Sequence, residues 1–259
     1  MNLTHKIFLS VVGCLLSVIF SSQAQVNVKD SSLFIPLIKF SYAFQLPGGN
    51  LEKRFGNNSN IGIDFSVKMK KNILIGAGWH YIFGNQIKEN VLDSISTGSG
   101  FSNDGFIIDQ NGGPAYIRIF ERGFTASVFF GKIFPVAGSN PNSGIMIYGG
   151  PAFLQHKIKI DDIGHQSPQL TDNYKKGYDR LTNGFGLHEF LGYVCISNKR
   201  MINFYGGFEF YQTFTQSRRS FDFDLMKRDT DKRTDFLFGV RVGWILPLYK
   251  KVPQQYYYY

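Results

Sequence analysis

The chain is 259 residues long, with 28 Lys and Arg against 19 Asp and Glu, for a formal charge of +9. It has two cysteines, which excludes a disulfide scaffold and a cysteine-rich metal site. Aromatic residues reach 16% and glycines number 28, a bias that suits short alternating strands, and no apolar run of ~20 residues is present to form a membrane helix.

The amino end reads as a cleavable leader, residues 1–24. Lys6 supplies the positive region, Ile7 to Phe20 the apolar region, and Ser22-Gln23-Ala24 the small-residue cleavage site, leaving Gln25 as the first mature residue. The apolar region is shorter than the ~20 residues a spanning helix needs. Val11-Val12-Gly13-Cys14 also resembles a lipobox, but Cys14 lies inside the apolar region, with Leu15 to Phe20 still to follow. Cleavage leaves Cys195 alone, a barrel domain over 25–249, and a basic, tyrosine-rich tail over 250–259.

From Phe34 onward the sequence alternates with period two, the signature of strands. Strand one, Phe34 to Leu46, sets Phe34, Pro36, Ile38, Phe40, Tyr42, Phe44 and Leu46 against Lys39, Ser41, Ala43 and Gln45. After the polar loop Pro47 to Ser59, strand two is predicted to turn Ile61, Ile63, Phe65, Val67 and Met69 outward, with Gly62, Asp64, Ser66, Lys68 and Lys70 inward. A tight turn at Lys71-Asn72 leads to strand three, where Ile73, Ile75, Ala77, Trp79, Tyr81 and Phe83 alternate with Gly76, Gly78 and His80, and a long polar loop, Asn85 to Gly113, follows. Pro114 to Pro135 admits two strands joined at Glu121-Arg122-Gly123. That would make nine, whereas bacterial single-chain barrels have even numbers, so one strand is predicted, Phe124 to Phe134. Strand five, Gly144 to Ile160, is predicted to turn Met146, Tyr148, Leu154, Ile158 and Ile160 outward and Gln155, Lys157 and Lys159 inward, with its charged upper half projecting beyond the lipid.

Strand six, Gly184 to Ile196, turns Phe185, Leu187, Leu191, Tyr193 and Cys195 outward, with Glu189 on the same face. Strand seven opposes Ile202, Phe204, Phe208, Phe210 and Phe214 to Asn203, Tyr205, Glu209, Tyr211 and Thr213. The last strand, Thr234 to Tyr249, has an unbroken apolar face from Phe236 to Leu248 and a face of Asp235, Leu237, Gly239, Arg241, Gly243 and Ile245 behind it.

The fold class that follows is all-β: an eight-stranded antiparallel up-and-down transmembrane β-barrel, with long extracellular loops after strands one, three, five and seven. Eight strands close a ring just wide enough for side chains to fill. The inward Lys39, Asp64, His80, His188, Glu209 and Arg241 must therefore pair, because isolated buried charges are costly. The expectation is an ion-pair plug, with strand closure setting Lys39 beside Arg241; a proton or ion path is the alternative.

Arg241-x-Gly243-x-x-Leu246-x-Leu248 resembles the C-terminal insertion signal of outer-membrane proteins, although Pro247 interrupts it and a tail follows it. The mature chain resembles the small eight-stranded outer-membrane barrels of the OmpA transmembrane-domain and OmpX class. The words SNPNSG, QHKIKI, YKKGYDRLTNG and RVGWILPLY are similar to uncharacterised outer-membrane proteins of Bacteroidota, Gram-negative bacteria. The resemblance implies a fold and a cell outer-membrane address; it assigns no catalytic residue.

A lipid A deacylase of this architecture uses an outward His with a Ser two residues on and a Glu on the next strand. Here His156 and Glu189 are predicted outward on adjacent strands, but Ile158 stands where the nucleophile belongs. No G-x-S-x-G, phosphate loop, H-E-x-x-H or calcium loop occurs, so no catalytic residue, cofactor or metal is expected. A lipid-facing Glu189 is expensive and suggests a protein-covered flank with His156 nearby. Lys70, Lys71, Lys199, Arg200, Lys250 and Lys251 form a basic inner rim, and Tyr256, Tyr257, Tyr258 and Tyr259 end the tail; headgroups or a periplasmic protein are the expected partners. The outer loops interleave Lys175, Lys176, Arg180, Arg218, Arg219, Lys227, Arg228, Lys232 and Arg233 with Asp172, Asp179, Asp222, Asp224, Asp229 and Asp231, which reads as a solvated rim able to meet lipopolysaccharide. Nucleic acid is not an expected partner. The functional expectation is a non-enzymatic barrel serving as a structural or accessory subunit of an outer-membrane assembly, such as protein insertion or secretion machinery. A loop-borne surface binder or adhesin is the first alternative, and a lipid-modifying enzyme the second.

Overall fold

A computed structural model describes residues 31–96, 107–136, 140–164, 167–198 and 201–248. The predicted leader, Lys199, Arg200 and the tail with Lys250, Lys251 and Tyr256 to Tyr259 lie outside the described residues.

Eight antiparallel strands, β1 (Ile35–Gly49), β2 (Asn58–Lys68), β3 (Ile73–Gly84), β4 (Ile117–Phe134), β5 (Gly144–Asp162), β6 (Thr182–Cys195), β7 (Phe204–Ser217) and β8 (Lys232–Pro247), pair in chain order and close into a barrel through β8 and β1. No edge strand is left open, which is what a sheet needs to stand in hydrocarbon. Short turns join β2 to β3, β4 to β5 and β6 to β7. Asn72 takes φ 60° in the first of them, a left-handed conformation that asparagine tolerates better than most residues. At the opposite rim the β1–β2 connection carries a short helix, α1 (Asn50–Arg54), and the other connections are long.

The exterior is an apolar band: Phe40, Tyr42, Phe44, Ile61, Ile63, Phe65, Trp79, Val128, Phe130, Phe208, Val240 and Val242 are all exposed. Around β3 to β6 the rings of Trp79, Phe124, Phe153 and Phe185 follow one another at centroid separations of 6.2, 5.8 and 5.1 Å, an aromatic girdle toward the long-loop rim.

The β4–β5 hairpin is longer than predicted, reaching up to Ile117 opposite Asp162, so the Glu121-Arg122-Gly123 segment is strand rather than turn. It also reverses the face predicted for strand five. Met146, Tyr148, Leu154, Ile158 and Ile160 are buried inside, while Lys157 and Lys159 are exposed outside. Below the girdle Met146 and Tyr148 fill the lumen while Ile145 and Ile147 face out, so both faces are apolar and alternation does not choose between them; above it the surroundings change. Where β5 rises past the girdle its outer face meets water, and the interior beneath the loops becomes an apolar core containing Leu51, Phe55, Leu154, Ile158, Tyr178 and Leu237. Water outside and apolar matter inside is the soluble-protein pattern, the opposite of the arrangement in lipid.

Candidate functional site

The lumen is filled in layers. At the short-turn end Lys68 Nζ donates to Asn142 Oδ1 (2.8 Å), Ser32 Oγ (3.1 Å) and the Leu33 carbonyl (3.1 Å). Above it Lys39 Nζ lies 3.7 Å from Asp64 Oδ2 and sits among the rings of Phe129, Tyr148 and Tyr205, at 4.6, 5.1 and 5.3 Å from their centroids. His80 Nε2 lies 3.2 Å from the other Asp64 oxygen, and the Tyr205 hydroxyl donates to Asp64 Oδ2 at 3.3 Å. The register sets Ile245, not Arg241, across from Lys39; Arg241 faces Ala43, four residues further up.

Arg241 centres the next layer. Its Nε donates to Glu209 Oε2 (2.6 Å), Nη1 to Ser41 Oγ (2.6 Å) and Nη2 to Asn60 Oδ1 (3.0 Å), while Gln45 Nε2 donates to the other Glu209 oxygen (2.8 Å). His188 stacks on Tyr211 at 4.1 Å, with its Nε2 3.7 Å from Glu209. Every member of this layer is buried, so side chains fill the bore at this level.

Gly243 has a packing role here, since a Cβ on it would meet the Tyr205 ring and the Phe40 carbonyl oxygen. Gly243→Ala is expected to cost about 1–3 kcal/mol of barrel stability, read as a lowered urea midpoint after refolding in detergent.

His156 does not face outward. It is buried in the lumen, its Nε2 3.2 Å from Asp235 Oδ2 and its ring edge-on to Phe55 at 5.4 Å, while Thr215 Oγ1 donates to the same Asp235 oxygen at 2.5 Å. Its place among the outward residues falls with the reversed face of β5. Glu189 is exposed on the outer wall, opposite Gly149 on one side and Phe210 on the other, in a crease also lined by Phe130, Leu191 and Lys132, whose Nζ lies over the Phe134 ring at 5.5 Å. His156 and Glu189 are thus on opposite sides of the wall and cannot serve one reaction centre. Among the described residues no ion pair involves Glu189.

The described parts of the loops at the long-loop rim form a packed cap, not the solvated rim that their mixed charges predict. Buried Arg180 is its hub: Nε lies 3.0 Å from Glu89 Oε1, Nη1 contacts Asp222, and Nη2 donates to Asp224 Oδ2 at 2.6 Å. Arg54 of α1 donates to Glu89 (2.6 Å), to Thr182 Oγ1 (3.0 Å) and to the Arg180 carbonyl (3.3 Å). Arg219 clasps Asp179 with Nε and Nη2, and Arg233 Nη2 donates to Asp229 Oδ2 at 2.6 Å. Burial raises Asp222 and Asp224 above the ordinary carboxylate value, an effect Arg180 only partly opposes. Burial acts the same way on Asp229, but the hydrogen bonds from Arg233 and the Asp231 amide prevail and hold it below that value. Glu89, in the aperiodic stretch between β3 and β4, carries no periodic signal. The only hint was the near-equal mixture of Arg and Asp in the loops it meets.

Lys70 and Lys71 are exposed on the short-turn rim; Lys70 is not inward as predicted, because β2 ends at Lys68 and the chain has already entered the turn. Among the described residues no group of three or more His, Cys, Asp or Glu is placed to hold a metal ion.

No protein-family model matches the chain, and no curated protein matches it. Among solved structures, a major outer membrane protein from Thermus thermophilus is similar over 82% of this chain and 99% of its own, at 8% identity and a TM-score of 0.41. Neisserial surface protein A covers 82% of this chain and 96% of its own, at 8% identity and a TM-score of 0.40. The outer membrane protein OprG from Pseudomonas aeruginosa covers 85% and 99%, at 10% identity and a TM-score of 0.36. Likenesses at this level bear on architecture alone, and the assignment of this chain as a closed eight-stranded antiparallel barrel rests on its own strand register.

Proposed function

We propose that the chain is a non-enzymatic integral protein of an outer membrane that serves as a structural or accessory subunit of a larger assembly there, docking through the β5–β6 flank. The observation that carries this reading is Glu189, an exposed carboxylate within an apolar wall and without an ion pair among the described residues. A carboxylate on the lipid face is unfavourable, and a basic or hydrogen-bond-donating side chain on a membrane partner would satisfy it. The filled bore supports a role other than transport, and the separation of His156 from Glu189 removes the pair that suggested lipid chemistry. The inner rim remains part of this proposal as a second contact surface. Isolation in gentle detergent followed by mass spectrometry is the test: the wild-type chain is expected to co-purify with envelope proteins, and Glu189→Leu to reduce that recovery at least about tenfold while leaving the barrel folded. A wild-type chain recovered alone, or a variant with the same companions, rejects the reading.

A second reading has its own support. The outer loops are fixed into a cap by buried ion pairs, which suits a rigid surface for an extracellular ligand. Binding of a host or cell-surface component that is lost on exchanging exposed cap residues, by a barrel that purifies alone, would favour it.

A further inference from the structure

The part of β5 that rises beyond the girdle carries basic side chains on its outer face, and the register brings others beside them. Lys157 stands directly opposite Arg122 of β4, Lys159 opposite Phe120, and Arg118 opposite Asp161. Directly opposed residues on one face of an antiparallel pair have Cβ atoms about 4.5–5.5 Å apart, and like charges there are destabilising. The Arg122 guanidinium is held in place: its Nη1 donates to the carbonyls of Glu121 (2.6 Å) and Gly84 (3.3 Å), and its centre lies 4.7 Å from the Phe120 ring centroid. Neither contact neutralises it. The Glu121 side chain is turned inward, where Asn58 donates to it. Asp161 is the one carboxylate on this stretch of the β4–β5 outer face, and it opposes Arg118. Among the described residues no ion pair involves Arg122, Lys157 or Lys159, whereas Arg54, Arg180, Arg219, Arg233 and Arg241 each have a carboxylate within 4 Å.

The level of this cluster is informative as well. Arg122 is two residues beyond Phe124 of the girdle, about 7 Å at the rise of a strand, which is the depth at which hydrocarbon gives way to headgroups. We propose that the outer wall of β4 and β5 binds the phosphate of an outer-leaflet lipid, with Arg122 and Lys157 on either side of the phosphate, Lys159 beside it, and the acyl chains lying against Phe124 and Phe153. The anion supplies the countercharge that the protein withholds, and charge-assisted bonds from a guanidinium suit a phosphate group. This site is independent of the Glu189 flank.

The test uses the mature chain refolded in neutral detergent, with lipid A as the phosphorylated probe and its dephosphorylated form as control, read by native mass spectrometry. Wild type is expected to retain lipid A, and to hold the dephosphorylated lipid at least about tenfold less, since each charge-assisted contact is worth on the order of tenfold in affinity. The triple variant Arg122→Gln/Lys157→Gln/Lys159→Gln is expected to lose lipid A by at least the same factor. The cap variant Lys176→Gln/Lys227→Gln/Arg228→Gln, which removes as much charge, is expected to keep it. Lipid A should also raise the thermal midpoint of wild type but not of the wall variant, whose lipid-free midpoint should equal or exceed that of wild type because the like-charge pair is gone. Equal retention by the wall variant, equal loss in the cap variant, equal binding of the dephosphorylated lipid, or displacement by inorganic phosphate alone at similar concentration would each overturn the proposal.

Discussion

Replacing Arg241 by methionine is expected to lower the stability of the refolded barrel by about 3–5 kcal/mol, the usual consequence of removing one partner from a buried ion pair. The reason lies less in the bonds lost than in the charge stranded. Glu209 is buried, and although Gln45 donates to one of its oxygens, the other would be left with His188 Nε2 at 3.7 Å in place of a guanidinium at 2.6 Å. Ser41 and Asn60 would lose their donor at the same time. The double variant Arg241→Met/Glu209→Met strands no charge and should recover most of the loss, because well-packed apolar replacements of a buried pair are often neutral. Urea or thermal midpoints of protein refolded in detergent separate this account from a role in insertion, since no insertion machinery is present. A refolded Arg241→Met barrel with the wild-type midpoint would reduce Arg241 to a signal residue.

Where one face of a strand meets lipid and the other a crowded lumen, the sequence was legible residue by residue. The alternation of Phe40, Tyr42 and Phe44 with Lys39, Ser41 and Ala43 already assigns inside and outside, because a slip of one residue would put lysine into hydrocarbon. Glu189 was legible on the same principle as an outward residue despite its charge. Strand five was not. Leu154, Ile158 and Ile160 look like a lipid face, yet they lie above the girdle, where apolar residues turn inward and lysines outward, and His156 went with them. That accounts for the upper half of the strand; in the lower half Met146 and Tyr148 fill the lumen while Ile145 and Ile147 face out, so both faces are apolar and alternation leaves the choice of face open. The cap failed for a different reason. Arg180 and Asp224 are 44 residues apart in sequence, and Arg180 and Glu89 meet across two loops that have no period; the pairing exists only once the barrel brings the loop ends together.

The cap and the barrel should therefore separate experimentally, and Arg180→Ala is the variant that does it. The substitution leaves Glu89, Asp222 and Asp224 clustered without their common counter-ion, two of them raised by burial already. About 3–5 kcal/mol of cap stability should be lost, and the strained backbone does not offset it: Arg180 has φ 51°, a left-handed conformation that costs an alanine about 1–2 kcal/mol just as it costs arginine. Limited proteolysis and hydrogen exchange over residues 85–96 and 218–231 should speed up roughly a hundredfold or more, the equivalent of that energy at about 1.4 kcal/mol per tenfold. The strands should keep their protection, since none of their ladder bonds is touched. Asp222→Asn, which removes one of three carboxylates and leaves the guanidinium paired, should do much less. The pH response follows from the direction of each shift. A carboxyl raised in the closed cap binds its proton more tightly there than in the open one, so Asp222 and Asp224 favour closure increasingly as pH falls from neutral toward the ordinary carboxylate value of about 3.9. In Arg180→Ala that effect is unopposed, and mild acid should restore part of the lost protection. Asp229 acts the other way, contributing fully above its ordinary value and losing that contribution as pH drops through its lowered one, so protection in the variant should pass through a maximum and fall again in stronger acid. Unchanged proteolysis of the Arg180→Ala loops at neutral pH would mean that the apolar core under the cap, not the ion pairs above it, holds the cap closed.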